Sequence, residues 1–417
     1  MEPAADRDRA ADVEMAELEA KLATYPVSRY PVQHATAAFG LATVHLHRGQ
    51  LDEAVPLLAT AYEIFGRVGM RLEQSKALTM HGIALREAGR SGLAVETFAR
   101  AARAFHDLDQ PTEEAAASYN LGLAQHEHGD SAAAQVALAL AYELFLAAGH
   151  LAQAGAAARE RGTYLLTTGE IDAAVAALDE AATLAHRAGD LPGLGAAANA
   201  LGLAHLAAGE AAAAVREFSR AVGAYPRSLR APEHAMVKAN LAVAFERVGN
   251  QPRARLAARQ SLAIATADQP VREQARLLLD RLSGDAQVDL LSVLDEEPAE
   301  RWSATLREEV LRWCEAPRPE RLIAVRGFLD GLIARPGTAY ELAESLISVL
   351  VELPPPPYAE MVASIVRVTD DLEPQDVDRV HSVVGSAMAR FAIPQWQRLV
   401  GSLNAAEAAA GRPGGWR

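Results

Sequence analysis

Glycine recurs at Gly49, Gly89, Gly129, Gly169, Gly209 and Gly249, forty residues apart each time. Three further columns keep the same register. Ala54, Ala94, Ala134, Ala174, Ala214 and Ala254 stand five residues after each glycine, and Ala61, Ala101, Ala141, Ala181, Ala221 and Ser261 stand seven beyond those. Ala42, Gly82, Gly122, Gly162, Gly202 and Ala242 lie seven before. A fixed period of this length is the signature of a stacked array in which one supersecondary unit is repeated.

Each column has a physical reading. A glycine after an apolar-periodic stretch ends a helix, because only glycine enters the left-handed region without steric cost. The column seven before it is small because a neighbouring helix crosses there, and the two alanine columns place small residues on a second helix that packs closely. Leu58, Phe98, Leu138, Leu178 and Phe218 form a bulky column on that second helix, and Phe65, Phe105, Phe145 and Tyr225 form another two turns further on. Their spacing puts them on one stripe, as core packing between stacked hairpins requires. Aromatics are only 5% of the chain and alanine is abundant. That composition favours many helices at short distances over a β-rich fold.

The pattern resembles the tetratricopeptide repeat family, in which a Leu-Gly-x-Ala cluster is followed by a glycine, an alanine, a bulky residue and a second alanine. Here it reads Leu121, Gly122, Ala124, Gly129, Ala134, Leu138, Ala141, and again Leu201, Gly202, Ala204, Gly209, Ala214, Phe218, Ala221. The resemblance spans about residues 30–270. It implies an all-α fold, a right-handed α-solenoid of helical hairpins. The usual repeat of this family has 34 residues, so a forty-residue unit implies longer helices. A second regularity, Tyr25, Pro26, Ser28, His34 and Ala35 returning as Tyr225, Pro226, Ser228, His234 and Ala235, points to duplication of whole blocks.

The expected organisation is a capping helix within 1–29, six repeats and a closing helix over 30–284, a helical C-terminal domain over 285–410, and a disordered tail over 411–417. The repeat register fades after about residue 267. Beyond Asp285, prolines separate amphipathic stretches at 301–315, 319–334, 338–352, 358–370, 374–391 and 394–410. Trp302, Trp313 and Trp396 are read as core anchors, the run Pro354–Pro357 as a rigid helix connection, and Trp416 as a contact residue in the tail.

The formal net charge of −14 argues against nucleic acid and against an anionic membrane surface as partners. One cysteine, Cys314, allows no disulfide framework and no cysteine metal site. The charged start, Met1 to Ala11, is not expected to act as a secretory signal, and no apolar run is long enough for a membrane span, so a cytoplasmic location is expected. No cofactor and no metal are expected. Gly193, Gly195 and Ala198 match a dinucleotide fingerprint, but no strand precedes them. His126 and His128 are two residues apart on a helix and point in different directions, which rules out their chelating one ion.

Without a catalytic set, the expected function is non-catalytic: a scaffold or adaptor that binds a protein or peptide segment. The alternative is an effector- or peptide-responsive signalling regulator without its own DNA-binding domain. Self-association through the C-terminal domain is compatible with either. The resemblance implies a concave groove lined by the first helices, and its pattern selects Lys76, Arg86, Tyr119, Asn120, His126, Arg159, Asn199, Asn240 and Arg247 as partner-binding residues. Asn120 and Asn240 hold equivalent places, and an amide both donates and accepts to a peptide backbone. Lysines are too few for the paired-lysine carboxylate clamp that some relatives use.

Overall fold

The computed structural model describes residues 4–284, 286–411 and 416 of the chain. The described residues form twenty-one α-helices and no strand. They fall into two compact units, Met1–Gly209 and Glu210–Arg417.

The first unit holds α1 (Ala4–Thr24), α2 (Pro31–His47), α3 (Leu51–Arg67), α4 (Arg71–Glu87), α5 (Ser91–Asp107), α6 (Pro111–Glu127), α7 (Ser131–Ala147), α8 (Leu151–Thr168), α9 (Ile171–Ala188) and α10 (Leu191–Ala207). Each packs on the next in sequence, as stacked hairpins do. The lone helix expected at the start is α1, whose Leu18 lies under Gly40 of α2 and whose Asp12 pairs with Arg48 at 2.6 Å. The small-residue column works as a socket. A Cβ on Gly122 would stand 2.6 Å from Leu138, and one on Gly162 would stand 2.6 Å from Leu178. Phe98, Leu138 and Leu178 are completely buried.

The glycine register is a register of helix ends. All six glycines of the column have positive φ. The turns between them use the same device: Gly69, Gly149 and Gly189 also have positive φ, as does Asp109 with φ 54°. Left-handed residues therefore punctuate the first unit every twenty residues from Gly49 on. At each, the next amide reaches back to close the helix, as Gln50 N does to His45 O and Gln110 N to Phe105 O, both within 3.0 Å.

The second unit holds α11 (Ala211–Ala224), α12 (Ala231–Val248), α13 (Gln251–Leu262), α14 (Gln269–Arg281), α15 (Ala286–Glu296), α16 (Ala299–Glu315), α17 (Arg318–Ala334), α18 (Ala339–Leu350), α19 (Pro355–Thr369), α20 (Pro374–Met388) and α21 (Ile393–Ala409). The six amphipathic stretches correspond to α16 to α21, and α14 spans the stretch expected to close the array. The compact units, however, divide at Gly209 and not at Gly284, where the repeats were expected to give way to a separate domain. The physical tie is Asp289 of α15, 1% exposed. It accepts from Arg255 Nη2 at 2.6 Å and from Arg259 Nη2 at 2.6 Å, both on α13. Beyond α15 the packing rule changes: each helix meets the one two places on, giving a row α15, α17, α19, α21 and a row α16, α18, α20. Trp302 and Trp313 are buried in their shared core and Trp396 is half-buried against it.

One expectation is corrected here. The proline run is not a connection: Pro355, Pro356 and Pro357 form the first turn of α19, where their missing amides leave no intrahelical bond unmade. The tail expected to be disordered falls, at residues 412–415 and 417, outside the described residues; Trp416 is 3% exposed. It donates Nε1–H to Glu407 Oε1 at 2.9 Å, and Asn404 meets its backbone at both ends. Among the described residues, no helix is long and apolar enough to cross a membrane.

Candidate functional site

Three first helices of successive repeats, α4, α6 and α8, put a polar cluster on one face of the first unit. Arg86 stands on α4 one turn past the socket glycine Gly82, and its guanidinium reaches to α6. Its Nη1 lies 3.5 Å from Asn120 Oδ1 and its Nε 3.8 Å from Glu127. Asn120 in turn donates Nδ2–H to Ala116 O, one turn back on its own helix, at 2.9 Å. His126, also on α6, stacks on Tyr164 of α8 with ring centroids 3.6 Å apart and planes within 10°. Tyr119 of α6 and Tyr164 of α8 share one apolar patch with Leu123 and Leu138. Arg159, on α8, pairs with its neighbour Glu160 at 2.6 Å.

The electrostatics tie these contacts together. Burial pushes the Tyr164 hydroxyl far above the ordinary tyrosine range, and Glu160, Tyr119 and Glu127 push it further. Burial also raises Tyr119, with Glu160 adding to the effect. Both phenols therefore stay protonated and remain donors. Arginine, amide, carboxylate and phenol side by side can meet both the N–H and C=O of a peptide and its charged side chains. The cluster offers no nucleophile paired with a base.

Of the residues selected from sequence, the structure brings Arg86, Tyr119, Asn120, His126 and Arg159 together. Lys76 is exposed further up α4, and Asn199 is buried on α10. Asn240 and Arg247 belong to the second unit, on α12. There Asn240 Oδ1 accepts from Gln274 Nε2 at 3.2 Å, and Arg247 is exposed. Sequence reasoning missed Tyr164. Its signal was present: the column two after the socket reads Val44, Ala84, Ala124, Tyr164, Ala204 and Ala244, and the tyrosine is its one aromatic residue.

His126 and His128 have separate surroundings, since His128 Nδ1 sits 3.3 Å from Ser91 Oγ at the start of α5. Among the described residues, no group of three or more His, Cys, Asp or Glu side chains is placed to hold a metal ion. Gly193, Gly195 and Ala198 lie inside α10, where the Gly193 amide donates to the Asp190 carboxylate at 2.9 Å; they form a capped helix start and not a phosphate loop.

No curated protein matches the chain by sequence. Among solved structures, it is similar to the BtubC protein of P. vanneervenii, at 16% identity over 54% of this chain and 91% of that one, with a TM-score of 0.46. It is also similar to the apo form of the quorum sensor NprR of B. thuringiensis, at 12% identity over 92% and 94% with a TM-score of 0.48. A Rap protein complexed with competence and sporulation factor resembles it at 18% identity over 64% and 73%, with a TM-score of 0.41. Family models of the tetratricopeptide repeat match residues 33–107, 79–150, 159–228 and 199–270. These matches cover more than half of the sequence, fall on the helical hairpins described above, and show that the chain belongs to the tetratricopeptide repeat family.

Proposed function

We propose that this protein is a non-catalytic interaction scaffold or adaptor. It binds an extended segment of a partner across the first helices of the first unit, the concave side in this repeat family. The observation that carries the reading is the cluster of half-buried Arg86, Tyr119, Asn120, His126 and Arg159 around the buried ring of Tyr164, drawn from three successive repeats. Polar groups that only solvate a helix face have no need to stack, share a partner across helices and stay partly dry. A peptide laid across α4, α6 and α8 would replace the internal Arg86–Asn120 contact with its own backbone, at little net cost in hydrogen bonds.

The test is capture of a partner from the native cell extract by the whole chain, by an Asn120→Ala and Arg159→Ala double variant, and by Tyr164→Ala. The expected result is a protein retained by the wild type and lost by both folded variants. Equal retention by all three places recognition elsewhere. A second reading, an effector-responsive regulator, is supported by one feature: the Asp289 tie joins the last repeat to the C-terminal helices, so a ligand bound at either would be felt by both. X-ray scattering with and without the captured partner separates the two readings, because only the regulator changes its dimensions.

A further inference from the structure

On the second helices of the first unit, the positions that face solvent recur with the repeat, and α7 fills them differently from its neighbours. The columns at 132, 136, 140, 143 and 147 lie on one helical stripe and are exposed in α7. At the same columns α5 carries Glu96, Arg100, Arg103 and Asp107, and α9 carries Asp172, Glu180 and Arg187. On α7 the charge is Glu143 alone, and the rest of the stripe is Ala132, Val136, Leu140 and Ala147. Val136 is 72% exposed and Leu140 45%. A contiguous apolar stripe with charge on both sides marks a contact surface. Its flanks are α5 and α9. Tyr142 OH of α7 donates to Glu180 Oε1 of α9 at 3.3 Å. Two repeats earlier the same two columns meet in Tyr62 of α3 and Arg100 of α5, at 2.6 Å. The second helices therefore lie side by side in chain order.

We propose that this face pairs with the same face of a second copy of the chain, in a two-fold dimer whose α7 helices run antiparallel. The charge pattern selects both the occupant and the direction. With the axis midway between Val136 and Leu140, each Val136 rests on the second copy's Leu140, and the contact is made twice, as an isologous interface requires. The two Glu143 side chains then stand about 15 Å apart along the helices; in a parallel pair they would meet. The same axis lays α5 on the second copy's α5 and sets Glu96 opposite Arg100, again twice. Neither has an ion pair among the described residues; Arg100 donates to the Tyr62 hydroxyl and lies over its ring. On α9 the axis sets Glu180 opposite Ala176, so acid does not meet acid there. The face of α5, α7 and α9 measures about 25 Å along the helices and about 20 Å across. Pairing two such faces buries about 1,000 Å², the lower edge of a specific interface. A weak dimer follows, with a dissociation constant of about 1–100 μM. The contact uses second helices alone. It shares no residue with the cluster on α4, α6 and α8, and each copy keeps that cluster open to a partner.

The test is sedimentation equilibrium of the whole chain over a concentration series. The expected result is a monomer–dimer equilibrium that Leu140→Lys weakens by about tenfold or more, with the circular dichroism of the monomer unchanged. Val136→Lys, at the more exposed position, decides the matter if Leu140→Lys does not fold. Arg100→Glu sets acid against acid at both symmetric contacts and weakens the dimer as well. Adding Glu96→Arg to it restores association, because the exchange keeps the pair. That rescue belongs to the antiparallel axis: in a parallel dimer Arg100 would face Glu180 of the second copy, and the exchange would repair nothing. A chain that stays monomeric up to about 1 mM, a dimer unchanged by the lysine variants, or a double exchange that associates no better than Arg100→Glu overturns the proposal. The second of these outcomes moves association to another surface, such as the C-terminal helices.

Discussion

At Asp109 the array departs from its own rule. It occupies a helix-end position that is glycine at Gly69, Gly149 and Gly189, with the same backbone conformation and the same closing hydrogen bonds. A side chain there pays a left-handed cost that glycine avoids, although aspartate pays less than most. Asp109→Gly is therefore expected to stabilise the first unit by about 0.5–1 kcal/mol, read as a higher midpoint of chemical denaturation with an unchanged slope. The residue scale also shows how much of the site was legible. Arg86, Tyr119, Asn120, His126 and Arg159 were selected because the family pattern assigns a direction to each helical position, and the structure brings these five side chains together. Tyr164 was passed over because its column is otherwise aliphatic, Val44 and four alanines, all buried, so the register assigned it to packing. The structure shows why a tyrosine fits: its ring takes the stacking face of His126.

Among the elements, the hairpins of the first unit were readable and their reason is steric. At Gly82, Gly122 and Gly162 a bulky side chain of the second helix, Phe98, Leu138 or Leu178, sits in a socket left by the missing Cβ of the first. Gly122→Ala gains helix propensity of about 1 kcal/mol, but its methyl would meet Leu138 at 2.6 Å and the Ala134 carbonyl oxygen at 3.2 Å. Overpacking of about 1–3 kcal/mol wins, and a lowered melting temperature is expected; Gly122→Ala with Leu138→Val recovers part of it by freeing the socket. The C-terminal helices were located but their arrangement was not. Their starts are marked by proline, which says where a helix begins and nothing about what it packs against. Pairing of each helix with the one two places on leaves no fixed spacing in the chain, and the bond from Asp289 to Arg255 and Arg259 joins residues that no pattern relates.

For the whole molecule, the second unit is the part that acid should loosen first. Burial alone would raise the pKa of Glu308; His234, Lys238 and Arg227 outweigh it and bring it down to about 2, from an ordinary value of 4.5. A carboxylate depressed in the folded state contributes stability that is fully present above its unfolded pKa and is lost as pH falls toward the folded one. Amide exchange in α12 and α16 should therefore accelerate between about pH 4.5 and pH 2 relative to its rate in Glu308→Gln, which lacks this titration. Identical pH dependence in the two chains would show that the His234–Glu308–Arg227 group does not hold these helices together. The evenly spaced left-handed turns have a different consequence. Gly89 and Gly129 close their helices alike, and Ser91 and Ser131 open the next ones at the same distance. A chain cut after Gly89 and rejoined at Asp130 would run through the splice with no change of phase. Length in the repeats is thus counted in interchangeable segments of forty, and the reach of the molecule can be shortened or extended by whole steps without redesigning any single joint.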